Sequence, residues 1–325
     1  MTIKNKIVYI SWQPYCSRSD NTARELNGKS YMVYYEFFGS NYCTILFKYI
    51  MQAITTLIIL IRDMPDVVFV MSPPLFACFP VYFYSVLFQK KYVIDAHTGA
   101  MTDPMWEKVM FLQKFFCRHA VFTILTNMQL AKILIQWNAD YLIIPDVPIK
   151  ITNPFLPHLK GKKNITLVNT FAKDEPVSEF LKAAANFPDT NFFVTGKINR
   201  QAKAYLNEAG NNVTFTGFLP YSDYYGLLLQ SDIIIVLTTR DNTMQRGAYE
   251  AIYLGKPVIT SEWQILKDNF EEGAIFVDNT EDGITSGIKQ ALKRLSILEK
   301  EAENLKRKKL KRWEKNKTEI IKNLY

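Results

Sequence analysis

Residues 232–262 read DIIIVLTTRDNTMQRGAYEAIYLGKPVITSE, and the pattern of this stretch decides the fold. An apolar run, Ile233 to Leu237, gives way to a polar loop, Thr238 to Gln245. Arg246-Gly247-Ala248 then opens a short helix that ends at Gly255, and a second apolar run, Pro257 to Thr260, follows. Short apolar strands joined by a helix make a βαβ unit of a parallel sheet. The helix therefore begins beside the carboxyl ends of the strands. Backbone N–H groups and the helix dipole favour an anion there, and Gly247, having no side chain, is expected to let that anion come close. Glu250 lies one turn further on, where a carboxylate accepts hydrogen bonds from ribose hydroxyls. Phosphate and sugar together point to a nucleotide.

Working outward, the same rhythm fills the second half of the chain. ITLVNT, NFFVTG and VTFTGF precede the stretch and AIFV follows it, each leading into a helix-forming segment. The first half alternates in the same way: Lys6–Ser11, YMVYY, DVVFV, KYVID, VFTIL and YLIIP read as strands, with helices expected near 42–61, 75–89, 104–118 and 128–137. ITNPFLPHLKGKKN, with two prolines and a glycine, reads as a linker. The expected fold class is α/β, two Rossmann-like, doubly wound domains. The first is placed at 1–155 and the second at 156–295, with a basic helix at 296–325 that can pack back on the first.

Composition narrows the partners. The 325 residues are 48% hydrophobic and 22% charged, as in a globular protein of two ordinary domains. The formal charge of +8 is confined to the tail: residues 289–325 hold 13 Lys/Arg and 5 Asp/Glu, leaving 26 of each sign in the rest. A neutral body offers no stripe for nucleic acid. The tail sequence LKRKKLKRWEKNK, with Leu305, Leu310 and Trp313, reads either as a solvated helical face or as an interfacial helix on anionic lipid. The four cysteines, Cys16, Cys43, Cys78 and Cys117, show no CxxC spacing, so neither a zinc site nor a disulfide framework is expected, in keeping with a cytoplasmic setting. Thr44 to Ile61 is apolar with a single charge, Lys48, and near the length of a membrane span. The strand DVVFVM follows directly in βαβ rhythm, so a buried helix is the expectation. Leu75 to Gln89 reads as a second packed helix with some surface left for lipid.

The order strand, polar loop, small residues, Glu-Ala and Gly-Lys-Pro-Val-Ile resembles the donor-binding segment of GT-B glycosyltransferases, in particular the group 1 retaining enzymes that use nucleotide sugars. The resemblance covers most of the chain and implies two domains facing across a cleft. In that family two glutamates flank the loop, the second on the ribose and the first near the donor sugar. The second matches Glu250; the first falls on Asn242, with Asp241 beside it, a departure that bears on the sugar contact and on retaining stereochemistry. The resemblance also places a cationic pair on the diphosphate after the first strand of the second domain. There VNTFAKDEP supplies Thr170 and Lys173, with Asp174 and Glu175 adjacent. Lys197, at the end of VTGK, is placed to neutralise a diphosphate oxygen or else is an ordinary loop lysine. Phe218 and Leu219 match the segment that borders the base, and Arg240 and Arg246 flank the phosphate loop.

In the first half, the loop SWQPYCSRSDN places Ser17 and Arg18 as acceptor-side groups, Ser17 or Ser19 capping the next helix and the arginine meeting an acceptor phosphate; a solvated cap with a surface arginine is the alternative. Asp95-Ala96-His97 lies at a strand end. It resembles the strand-end histidine of GT-B enzymes beside the transferred sugar, and similar segments after Pro-Pro in mannosyltransferases acting on lipid-linked sugars. Asp95 and His97 alone are too few for a tetrahedral metal site, and no metal or cofactor is expected beyond the donor. Asp103 is either, if the reaction inverts, a general base toward an acceptor hydroxyl or the N-cap before Pro104. The implied activity is transfer of a hexosyl group from a nucleotide sugar to a glycan or lipid-linked acceptor, in surface polysaccharide or glycolipid synthesis. The enzyme would sit in the cytoplasm, peripherally on the inner face of the plasma membrane. Two alternatives share the fold: a nucleotide-sugar epimerase and a non-catalytic GT-B subunit.

Overall fold

A computed structural model of the chain describes residues 6–38, 42–151, 153–159, 163–241 and 243–325. It divides into two compact units, Met1–Pro148 with Arg312–Tyr325, and Ile149–Lys311. The first unit contains β1 (Ile7–Ser11), α1 (Ser17–Glu25), β2 (Lys29–Met32), α2 (Tyr42–Asp63), β3 (Val67–Ser72), α3 (Cys78–Phe88), β4 (Lys91–Ala96), α4 (Thr98–Thr102), α5 (Met110–His119), β5 (Thr123–Leu125), α6 (Met128–Trp137) and β6 (Tyr141–Ile143). All pairings are parallel, in the order β2-β1-β3-β4-β5-β6. Strands covered on both faces carry near-continuous apolar runs, and every residue of β1 and β3 is buried. Alternate residues divide between two cores. Val8, Ile10, Val68 and Val70 face α2, α3, α5 and α6, whereas Ile7, Tyr9, Val67 and Phe69 face α1 and the last turns of the chain.

The second unit contains β7 (Lys163–Leu167), α7 (Val177–Ala185), β8 (Thr190–Thr195), α8 (Arg200–Tyr205), β9 (Val213–Gly217), α9 (Tyr221–Gln230), β10 (Ile233–Val236), α10 (Arg246–Tyr253), β11 (Val258–Ser261), α11 (Gln264–Asn269), β12 (Ala274–Val277), α12 (Glu281–Lys293) and most of α13 (Leu295–Leu324). Its parallel sheet runs β12-β11-β10-β7-β8-β9. Both sheets are of the doubly wound kind expected from the sequence. The strand order reverses between β1 and β3 in the first unit and between β7 and β10 in the second. Open α/β sheets bind ligands in the crevice at such a switch point, beyond the carboxyl ends of the strands.

Three expectations are corrected. The strand read in YMVYY keeps only Tyr31 and Met32, at the end of β2. The helix expected at 104–118 is a 3-10 stretch, Pro104–Val109, followed by α5; Asp103 caps its first turn by accepting from Met105 N (2.9 Å). The apolar helix α2 is not buried: only 28% of its most apolar 18-residue stretch is covered, although its length and composition suffice to cross a membrane.

The basic tail is corrected too. Leu305 and Trp313 are each 2% exposed, and Trp313 donates from Nε1 to Glu25 Oε2 (2.8 Å). Trp313, Ile320 and Leu324 fill the same core as Tyr9 and Phe69. Of the three apolar residues read as lipid-facing, only Leu310 is left on the surface. The tail therefore presents no apolar face of its own to lipid.

Candidate functional site

In the second unit, the loops at the β7/β10 switch point are fixed by side chains. Thr238 opens the loop after β10: its N donates to Ser261 Oγ (2.9 Å) and its Oγ1 to Asp174 Oδ2 (2.8 Å). Its carbonyl accepts from Trp263 Nε1 (2.8 Å) and Asn279 Nδ2 (3.0 Å). After β7, the Glu175 carboxylate accepts from Thr170 N (2.9 Å) and Ala172 N (2.7 Å) and binds Thr170 Oγ1. Burial pushes the Glu175 carboxyl above its ordinary range, and those hydrogen bonds pull it only partly back. The Glu175 anion thus already occupies the amides of the β7 loop.

The other amide-rich feature is the start of α10. Its N-cap, Gln245, makes no side-chain cap, in contrast to Asn127, Asn199 and Thr280 at the starts of α6, α8 and α12. One turn in, Glu250 is 5% exposed. Its Oε2 accepts from Tyr224 Oη (2.7 Å), its Oε1 from Tyr225 Oη (2.9 Å), and Arg246 Nε lies 3.5 Å from Oε1. Burial and then the Glu250 charge push the Tyr224 hydroxyl well up, so it stays a donor. These contacts fix the orientation of the carboxylate.

In the first unit, β4 delivers Asp95 into the core and His97 to the strand end, where His97 N donates to Ser72 O (2.8 Å). Asp95 is fully buried and accepts from Tyr9 Oη (2.7 Å) and Arg18 Nε (2.9 Å). Burial would raise the Asp95 carboxyl, but the charges of Arg18 and His97 outweigh it and hold it below its ordinary range. Beside this edge, at the β1/β3 switch point, lies a groove of about 370 Å³ whose lining includes Trp12, Tyr49, Ile50, Phe76 and Phe79.

Residues 150–316 match the family described as glycosyl transferases group 1. The chain belongs to that family. No curated protein matches it in sequence. Among solved structures, the fold is similar to sucrose-phosphate synthase from Thermosynechococcus elongatus (12% identity, 98% of each chain covered, TM-score 0.71). It is similar also to Anabaena HepE in complex with UDP and glucose (13% identity, 98% of this chain and 99% of that one, TM-score 0.69). A putative UDP-N-acetylglucosamine 2-epimerase from Listeria monocytogenes shares it as well (14% identity, 93% and 91% covered, TM-score 0.61). At these identities the likeness establishes the GT-B architecture of two Rossmann-like domains.

This glycosyltransferase gathers Thr170, Arg246, Gly247, Ala248 and Glu250 at the ends of β7 and β10. Asn242 lies outside the described residues. Lys173, Lys197, Phe218 and Arg240 are exposed, Phe218 by 75%, and Leu219 is half-buried. The reason given for Gly247 is corrected. A Cβ there would lie 2.8 Å from Val168 Cγ1 and 3.3 Å from Val236 Cγ1, so the absent side chain lets α10 pack on the sheet rather than admitting a ligand. Ser17 is the first residue of α1 and not its cap, which is Cys16 without a side-chain cap bond. Arg18 is neither a surface group nor open to an acceptor phosphate: it is 8% exposed, paired with Asp95, and donates to the carbonyls of Ile144 (2.9 Å) and Pro145 (3.4 Å). The sequence reading missed Tyr224 and Tyr225, whose run YSDYYG places two hydroxyls on one helix toward Glu250. It also missed Asp174 and Glu175, which order the loops they were thought merely to border.

Proposed function

We propose that this glycosyltransferase takes its sugar from a nucleotide sugar seated at the β7/β10 switch point. The supporting observation is the Glu250 carboxylate, oriented by Tyr224 and Tyr225 one turn inside a helix whose N-terminus lies at that point. Glu250 accepts the ribose hydroxyls, and the first turn of α10 at Gly247 and Ala248 receives the diphosphate. Lys173, Lys197, Arg240 and Arg246 balance the charge that grows on the leaving group. Thr170 lines the same crevice, with Phe218 and Leu219 on the base. UDP or a UDP-sugar bound in structures of similar fold accords with such a donor.

His97 contacts the donor sugar. If the reaction inverts, Asp103 accepts the proton of the acceptor hydroxyl as its oxygen bonds to the anomeric carbon and the bond to the diphosphate breaks. Asp103 uses Oδ1 in its cap, and its carboxylate retains acceptor capacity for that proton. The transferred group is a hexose, with no metal or added cofactor. The acceptor is a glycan or lipid-linked saccharide of surface polysaccharide or glycolipid synthesis, met by a cytoplasmic enzyme resting peripherally on the inner face of the plasma membrane.

The test is a thermal-shift panel of nucleotide sugars, since a ligand that binds only the folded chain raises its apparent stability. The donor so identified is then incubated with membrane extract. Labelled glycolipid or glycan supports transfer, an altered sugar still on the nucleotide supports epimerisation, and binding without turnover supports a non-catalytic subunit. Unchanged donor affinity in Glu250→Ala would overturn the site.

A further inference from the structure

The helix α2 is built the wrong way round for a helix with water on its outer side. Its residues Lys48, Gln52 and Thr56, spaced by one turn each, are buried. Lys48 Nζ sits 3.8 Å over the Tyr34 ring, Gln52 donates to Val33 O (2.6 Å), and Thr56 Oγ1 accepts from Trp12 Nε1 (3.0 Å). The parallel stripe Leu46, Ile50, Ile54 and Ile58 is 65%, 48%, 47% and 59% exposed. An amphipathic helix against water carries the opposite arrangement.

The stripe does not stand alone. On α3, Phe79 and Phe83 are one turn apart and 43% and 58% exposed, and on α5 Phe111 and Phe115 repeat the pattern at 67% and 40%. Aromatic contacts join the three helices into one layer: Tyr49 meets Phe76, in the turn before α3, at 5.3 Å, Phe76 meets Phe79 at 6.2 Å, Phe79 meets Phe116 at 4.8 Å, and Tyr82 meets Phe115 at 5.2 Å between ring centroids. Contiguous apolar surface on an ordinary monomer rarely passes roughly 300–600 Å², and apolar side chains exposed together on three adjacent helices mark an interaction site. The charge of this face is one-sided. Residues 44–61 and α3 contain no Asp or Glu, while Lys108, Lys114 and Arg118 are exposed beside Phe111 and Phe115 against the single anion Glu107. Cations bordering an apolar surface complement a bilayer with anionic headgroups. The groove lined by Trp12, Leu46, Ile50 and Phe79 lies between this face and the segments that follow β1 and β3.

We propose that the outward face of α2, α3 and α5, and not the basic tail, is the surface by which this chain docks on an anionic bilayer. This deepens the peripheral-membrane part of the function proposed above and is independent of which donor is bound.

The test is co-sedimentation of the full chain with vesicles of phosphatidylcholine alone and of equal parts phosphatidylcholine and phosphatidylserine. Wild type is expected to bind the mixed vesicles more tightly, with the difference shrinking as salt is raised. Ile54→Glu/Phe83→Glu is expected to lower partitioning by at least about tenfold, because two large apolar side chains no longer enter the acyl boundary. Lys114→Glu/Arg118→Glu is expected to remove the preference for phosphatidylserine. All four positions are exposed, so both variants should retain the wild-type melting temperature and affinity for the nucleotide sugar; loss of donor binding is thereby read separately from loss of docking. Wild type remaining in the supernatant, or either variant partitioning like wild type, overturns the proposal. So does a wild-type dimer in sedimentation velocity that Ile54→Glu/Phe83→Glu dissolves, which would assign the face to a second copy of the chain.

Discussion

Arg18 Nε lies 2.9 Å from Asp95 Oδ2, and the side chains are 9% and 0% exposed. The pair connects the first turn of α1 to the end of β4, and through the carbonyls of Ile144 and Pro145 to the segment after β6. Removing one member of a buried pair leaves the other charge uncompensated, at a cost of about 3–5 kcal/mol. Asp95→Asn and Arg18→Met should each destabilise the first unit on that scale in urea unfolding. A loss below about 1 kcal/mol in both would show that the pair does not organise this edge.

Asp63 gives a pH signature for the same unit. Hydrogen bonds from Arg62 and Tyr31 hold its carboxyl down to about 2 against an ordinary value of 3.8. A folded-state value below the unfolded one stabilises the fold fully above the unfolded value and loses that contribution as pH falls through the folded one. Stability should therefore decline as pH drops from about 3.8 toward 2. In Asp63→Asn that part of the acid slope should be absent while the rest of the curve is kept. Identical slopes in the two proteins would rule the contribution out.

At Gly247 the issue is space. An added Cβ would sit 2.8 Å from Val168 Cγ1, closer than side-chain carbons approach, so α10 must shift. Gly247→Ala should cost about 1–3 kcal/mol, the range for overpacking a dense interior. If the cause is the contact with Val168, adding Val168→Ala should recover part of that loss. A double variant no more stable than the sum of its singles would place the strain elsewhere.

Periodicity carried the fold because parallel strands buried on both faces, such as Ile7–Ser11 and Ile233–Val236, are uniformly apolar and cannot be confused with surface segments. It failed at α2 because an apolar composition does not say which face is inward; only the pairing of Thr56 with Trp12 and of Gln52 with Val33 does. Arg18 was misread for a related reason. A charged residue in a polar loop looks solvated until the fold brings Asp95, 77 positions away, against it. Gly247 was read as leaving room for an anion, because the atoms it makes room for, Val168 and Val236, come from two other strands' ends. The place of Glu250, one turn into α10, was legible since that helix has a clear start. Its tyrosine partners, 25 and 26 positions earlier, were not.

Those tyrosines lead to the last prediction. Tyr225 Oη is 2.9 Å from Glu250 Oε1 and Tyr224 Oη 2.7 Å from Oε2, so each carboxylate oxygen has its own donor. A hydrogen bond to a charged group contributes about 1.5–3 kcal/mol, and removing one also frees the carboxylate to rotate. If Glu250 grips a ribose, Tyr225→Phe should weaken nucleotide-sugar binding by about tenfold, through orientation alone. Glu250→Gln keeps the shape but leaves the tyrosines facing an amide, and it should weaken binding at least as much. Titration calorimetry with the donor from the thermal-shift panel measures both. Tyr225→Phe binding like wild type while Glu250→Ala binds poorly would mean that the ribose, not the tyrosine pair, sets the carboxylate's position, and the pre-oriented site described here would have to be abandoned.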